Sequence, residues 1–252
     1  MTHDEDAVSG LADDCAIEPI AQSLSADLRV WRVSLDAYPQ IGMHSWFAPD
    51  ETARAARFVY PDDRRRFLAA RHALRRILGA YSGRDPAACA FTAGEFGKPG
   101  LVGVEGPEFN VSHSAGDCLI AVSGRQAVGV DVERLAPLRD IDALARLHFT
   151  ARERAELARP DDPQARVRAF LVGWTRKEAC LKALGVGLSV QPACVEVGCE
   201  ETMRDVEVVI AGVRCGIALA SLSPGEGAVG AVALASPDDV ARVHSLVAQS
   251  RG

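Results

Sequence analysis

The stretch Phe170 to Leu184, FLVGWTRKEACLKAL, narrows what this chain can fold into more than any other. Phe170, Leu171, Trp174, Leu181 and Leu184 recur at helical spacing with no interior proline, which predicts a helix with one apolar stripe. Glu178 and Lys182 fall on the row of Phe170 and Trp174, because residues four apart stand one above the other on a helix. A carboxylate and an ammonium therefore lie on or beside the inward stripe. As an ordinary surface pair they would contribute only ~0.2–0.5 kcal/mol. Beside a core, the carboxylate needs a cation, which Lys182 or a metal can supply.

At 252 residues the chain can bury a real core as one large domain or two small ones. It has no long apolar run and no basic-then-apolar start, so neither a membrane helix nor a secretory signal is expected. Seven cysteines, odd in number and without CxxC spacing, argue against structural zinc and a disulfide framework, and fit a cytoplasmic, reducing setting. A net charge of −6 argues against a nucleic-acid binder. Of 28 basic residues only Lys98, Lys177 and Lys182 are lysine. G+C-rich coding explains arginine use in general. Lysine kept at three places points to a need for a compact, titratable ammonium there.

In chain order, residues 1–25 are acidic and aperiodic and predict a disordered tail. LRVWRVSL (28–35) alternates like a strand, and a helix is expected from about Pro49 to Val59. A second helix is expected from about Asp62 to Ala80, stopped near Gly83, with six arginines between 64 and 76. Most of them map to a solvated face. Arg66 maps to the apolar side and Arg71 to its edge, where a guanidinium calls for an internal carboxylate or a bound phosphate. Gly97-Lys98-Pro99 reads as a loop. Phe109–Ser114 (FNVSHS) leads into a strand at 118–123, with Ser112 and His113 in a polar cluster suited to an anion.

VGVDVE (128–133) puts Val128, Val130 and Val132 on one face and Gly129, Asp131 and Glu133 on the other. The two carboxylates stand about 6.7 Å apart at Cα and repel unless solvent or a cation lies between them, Mg2+ being the natural hard ion. Thr150 and Glu153 have capping-box spacing, a structural role. Strand-like patterns fill Val195–Ala235, and a short helix is expected at 241–248. The halves look alike, with the change near Ser123–Arg125.

The ordered set Arg66/Arg71, GKP, FNVSHS, VGVDVE and FxxxWxxKExxxK resembles the 4′-phosphopantetheinyl transferase superfamily, in its large single-chain class of the surfactin synthetase-activating type. The resemblance spans about residues 50–190. It implies an α+β fold of two similar α/β subdomains (26–124 and 125–240, then a terminal segment 241–252) in pseudo-twofold arrangement, with the active site between them. It implies a monomeric enzyme of secondary metabolism that moves 4′-phosphopantetheine from coenzyme A to a serine of an acyl or peptidyl carrier protein. Asp131, Glu133 and Glu178 match the family's Mg2+ ligands, and Glu178 and Lys182 its catalytic pair. Arg66, Arg71, Gly97, Lys98, Pro99, Ser112, His113, Asp131 and Lys182 match contacts to coenzyme A. The family's frequent Gly-Lys-Gly is here Gly185-Val186-Gly187, which removes one possible basic contact. Two rivals are another Mg2+-dependent phosphoryl-transfer enzyme, for which no P-loop or kinase signature is present, and a non-catalytic coenzyme A-binding or carrier-docking module.

Overall fold

The computed structural model describes residues 16–39, 46–94, 97–103 and 106–249. The first half runs β1 (Ile17–Ile20), β2 (Leu28–Ser34), α1 (Pro49–Ala55), α2 (Pro61–Ser82), β3 (Phe91–Ala93), β4 (Pro99–Leu101), β5 (Glu108–Ser114) and β6 (Asp117–Ser123). The second runs β7 (Ala127–Arg134), α3 (Ile141–His148), α4 (Ala151–Leu157), α5 (Pro163–Ala183), β8 (Arg204–Ile210), β9 (Val213–Leu222), β10 (Ala228–Ala235) and α6 (Pro237–Gln249). The strands form two antiparallel four-stranded sheets, ordered β1-β2-β6-β5 and β7-β10-β9-β8, and a small β3-β4 pair. In each half the first long strand pairs with the second strand of a later hairpin, so β2-β6-β5 and β7-β10-β9 have one order.

The alternation in the strands explains the layering. Trp31 and Val33 face α2, packing with Leu74, Ile77 and Leu78, while Leu28 and Val30 face the other way. Those residues meet Val128, Val130 and Val132 of β7 in a core between the two sheets. The opposite face of the second sheet packs Ala231 and Ala233 on Ala179 and Leu181 of α5 and on Leu184 at its C-cap. Both sheets are thus covered on both sides, and the valine-rich strands have two apolar neighbours each.

Gly129 sets how near α5 lies to β7. A Cβ there would stand 2.1 Å from the Ala179 carbonyl oxygen and 2.3 Å from the Ala183 nitrogen, both backbone atoms of the helix. Gly129→Ala should therefore cost at least ~1–3 kcal/mol, because the whole helix must move. Gly216→Ala, at a strand position with open space around its Cβ, is the control. A lowered urea midpoint for Gly129→Ala alone is the expected result.

Several expectations need correction. The N-terminal tail reading of 1–25 fails from residue 17, since Ile17–Ile20 pairs with Val30–Val33 as an edge strand; residues 1–15 lie outside the described residues. The first helix ends at Ala55 rather than near Val59, and the second begins at Pro61, where proline needs no amide partner. FNVSHS is itself the strand β5. The Phe170–Leu184 helix starts seven residues earlier, capped by the Asp162 side chain. Val195–Glu200 alternates but is not a strand. Its backbone is bonded by buried side chains instead: Arg176 donates to the Val197 carbonyl, Lys177 to that of Val195, and Glu153 accepts from Val197 and Gly198. The terminal helix begins at Pro237, before the expected 241.

Candidate active site

The site is built where the edge strands of the two sheets abut. β5 and β7 do not share a backbone ladder; side chains of β5 meet the outer amides of β7. Asn110 Oδ1 accepts from the Val130 amide at 2.9 Å, and Ser114 Oγ from the Arg134 amide at 3.2 Å. The polar residues of FNVSHS alternate because each second one must reach across this seam.

The same serines hold the carboxylates of VGVDVE. Ser112 Oγ donates to Asp131 Oδ1 at 2.7 Å, and Ser114 Oγ to Glu133 Oε2 at 2.8 Å. Lys182 reaches in from α5, donating to Asp131 Oδ1 at 2.6 Å and to Ser112 Oγ at 3.2 Å. Glu178 lies one helical turn earlier, close enough to feel Lys182, Asp131 and Glu133 electrostatically. Trp174, one turn earlier again, lies near enough to Glu133 to favour its charged form.

The carboxylates are under-supplied with partners. Asp131 Oδ2 and Glu178 Oε1 are buried without a hydrogen bond. Burial pushes the Glu178 carboxyl above its usual range against the pull of Lys182, and the charges of Asp131 and Glu133 add to the rise. Burial likewise raises Glu133, helped by Asp131 and opposed by Ser114, Lys182 and Trp174. Among the described residues, no group of three or more His, Cys, Asp and Glu side chains is arranged, as it stands, to hold a metal ion.

The helix end explains residue 186. Gly185 is left-handed (φ 69°), its amide bonds the Lys182 carbonyl, and the Val186 amide reaches back to that of Leu181. This is the Schellman pattern, which asks for an apolar residue after the glycine to meet one in the last turn. Val186 is 1% exposed in the same core as Leu181. The expectation of a lost basic contact is corrected: this position points into the core.

The arginine expectations divide. Arg66 stands, as expected, on the row of buried Ala70, Ala73 and Ile77, at the end of that face. It is half-buried and, with Arg65, grips Asp36, at 2.8 Å from Arg66 Nε to Asp36 Oδ1. These bonds hold the Asp36 carboxyl down at about 2. Arg71 pairs with buried Glu51, lying over the Phe91 ring. Arg75, expected in the solvated face, is fully buried and bonds the same Glu51 at 2.6 Å. Of the two partners expected for Arg66 and Arg71, an internal carboxylate or a bound phosphate, each thus has a carboxylate of its own chain.

His113 is exposed beside the site. The surrounding protein, and then the charges of Lys182 and Arg54, hold its imidazole below its usual range. Arg54, on α1 with its guanidinium over the Phe67 ring, escaped the sequence reading because α1 carries no motif. Lys98 is elsewhere. It bonds Glu108 at 3.2 Å, five residues from His113 along β5, or about 17 Å. Together with Pro99, Arg125, Gly185 and His244 it lines a separate cleft of about 460 Å³. The structure therefore gathers Ser112, Asp131, Glu133, Glu178 and Lys182, sets His113 beside them, and leaves Gly97-Lys98-Pro99 at the far end of the seam.

Residues 127–208, which supply β7 and α5, match the family model of the 4′-phosphopantetheinyl transferase superfamily. That class of enzyme is a transferase. The chain is 40% identical over 172 residues to the 4′-phosphopantetheinyl transferase HetI of Nostoc sp., covering 66% of this chain and 72% of that protein. A 4′-phosphopantetheinyl transferase of Bacillus subtilis is 28% identical over 62% of this chain and 68% of its own length. For Sfp of Bacillus subtilis the values are 27%, 58% and 63%. The chain belongs to the 4′-phosphopantetheinyl transferase superfamily and is an enzyme of that kind.

Proposed function

We propose that the protein transfers the 4′-phosphopantetheine group of coenzyme A to a serine hydroxyl of an apo acyl or peptidyl carrier protein. Adenosine 3′,5′-bisphosphate leaves, and the site lies at the seam between subdomains 26–124 and 125–240 in pseudo-twofold arrangement. The observation that carries this reading is the pair of buried carboxylate oxygens without a partner, Asp131 Oδ2 and Glu178 Oε1, beside the Lys182 ammonium. Orphaned hard oxygen donors suit a hard divalent cation, Mg2+ first. That ion needs only one or two carboxylates from the protein, with water and substrate phosphates completing its shell. Asp131, Glu133 and Glu178 are its ligands in this reading. When bound, it offsets the charge that grows on the pyrophosphate oxygens.

The chain's own groups do the rest. Lys182 supplies a compact ammonium to the bridging oxygen, where negative charge appears as the phosphoanhydride opens. Ser112 keeps Asp131 oriented while this happens. Glu178, whose carboxyl sits above its ordinary range, is suited to take the proton of the attacking serine. His113 and Arg54 form the basic edge that suits the 3′-phosphate of coenzyme A. A coenzyme A-binding module without chemistry would use the basic residues but has no need to crowd three carboxylates together.

The test is incubation with Mg2+, coenzyme A and an apo carrier protein, then weighing the carrier. A gain of one phosphopantetheine group is expected, and its absence at saturating Mg2+ overturns the reading. In His113→Ala and Arg54→Ala, binding of coenzyme A should weaken roughly 10- to 150-fold, the loss of one bond to a charged group. Binding of dephospho-coenzyme A should weaken much less. Equal losses with both compounds would remove the 3′-phosphate from this edge.

A further inference from the structure

We propose that Ser114 is a positioning residue for Glu133, and so for the metal affinity of the site; this rests on the Mg2+ reading above. A serine hydroxyl has one proton to give and two lone pairs to receive. Ser114 Oγ receives the Arg134 amide at 3.2 Å, so its single proton goes to Glu133 Oε2 at 2.8 Å. The donor behind it is itself fixed. Arg134 is the end of β7, and its guanidinium bonds Asp117 Oδ2 at 2.8 Å, while Arg32 holds the other oxygen of Asp117, also at 2.8 Å. Asp117 is buried and lies on β6, so this clasp joins the two sheets at the end of the seam that carries Ser114.

Two residues earlier the arrangement repeats with the same polarity. Ser112 Oγ receives Lys182 Nζ at 3.2 Å and gives its proton to Asp131 Oδ1 at 2.7 Å. Each serine thus occupies one oxygen of a carboxylate as a donor, which requires that oxygen to be an acceptor and leaves the second oxygen for a ligand. For Asp131 that second oxygen is the buried, unpartnered Oδ2. The rungs differ in reserve. Asp131 also has Lys182 on its held oxygen, whereas no cation bonds Glu133 among the described residues. Glu133 has the longer side chain and is only half-buried at the strand end, so Ser114 restricts it more than Ser112 restricts Asp131.

The experiment is Mn2+ binding to the full chain without coenzyme A, followed by the free-ion resonance signal and by calorimetry, for the parent and three variants. Ser114→Ala should bind Mn2+ about 10- to 100-fold more weakly, the usual loss when a carboxylate ligand's hydrogen-bond partner is removed. Ser114→Thr, which keeps the donor, should stay within a few-fold of the parent. Ser114→Cys keeps the shape with a weak donor and should fall with alanine, which tests the idea even if the alanine variant fails to fold. In transfer assays the Mg2+ concentration for half-maximal rate should rise while the rate at saturating Mg2+ falls much less. Parent-like Mn2+ affinity in Ser114→Ala or Ser114→Cys overturns this proposal alone. A parent that binds no Mn2+, even when coenzyme A is added to complete the ion's shell, overturns the metal reading and takes this proposal with it.

Discussion

Glu178→Gln is expected to slow carrier modification by about a thousandfold or more while leaving the metal-free protein at least as stable as the parent. The two halves of this expectation have one cause. Glu178 Oε1 is buried without a partner, and burial together with Asp131 and Glu133 already opposes its charge. Removing that charge relieves repulsion in the free protein. Yet the same charge is what a divalent cation and a serine proton require, and a metal's contribution of several kcal/mol to a phosphoryl transition state is worth about three powers of ten in rate. A group that strains the fold and is needed for the reaction marks a functional site. Asp131→Asn makes the contrast. It should also abolish transfer, but it should lower stability, because Lys182 loses a carboxylate bonded at 2.6 Å. Carrier-modification rates and thermal unfolding in chelator, on the same preparations, check both. A Glu178→Gln enzyme of near-parent rate at saturating Mg2+ would sink the assignment.

Lys177→Met should cost about 3–5 kcal/mol, the penalty for leaving one member of a buried ion pair behind. Lys177 and Glu153 are both 0% exposed and lie 2.7 Å apart. The ammonium also donates to the carbonyls of Pro192 and Val195, so all three of its protons are used. Glu153 in turn accepts from the amides of Thr150, Val197 and Gly198. This pair ties α4, α5 and the irregular 190–199 segment together. Losing the lysine therefore strands a buried carboxylate and two carbonyls at once, against a total stability of about 5–15 kcal/mol for an ordinary domain. Lys177→Met with Glu153→Gln should recover part of the loss, since the remaining amide is neutral. The urea midpoint is the measurement. A single variant within 1 kcal/mol of the parent, by about the resolution of such data, would mean that the pair is not ionised as drawn.

The three lysines show how far composition reaches. Their scarcity suggested ammonium groups with special tasks, and all three are indeed bonded to carboxylates. Only Lys182 stands in the carboxylate cluster. Lys177 braces the fold, and Lys98 lines a different cleft. A count of residue types carries no information about which way a side chain leaves its helix.

Local chemistry determined much of the rest from sequence alone. The alternation of VGVDVE placed its valines in one core and its carboxylates on the other face, because strand period is a property of the backbone. The spacing of Glu178 and Lys182 put both on one side of α5 for the same reason, and Thr150 with Glu153 formed the expected capping box. What the chain could not disclose by pattern depends on contacts between distant residues. Val195–Glu200 reads as a strand, yet the side chains of Glu153, Arg176 and Lys177 take its backbone bonds. Arg66 and Arg71 read as needing either an internal carboxylate or a bound phosphate, and the pattern could not say that Asp36 and Glu51 would meet them, while Arg54 carries no motif to mark it. Residue 186 read as a missing cation, and the helix cap makes it part of the core. Periodicity reports which face a residue occupies, because that follows from bond geometry within a few residues. Which partner meets it on that face is decided by the packing of elements far apart in the chain, and only the folded structure holds that information.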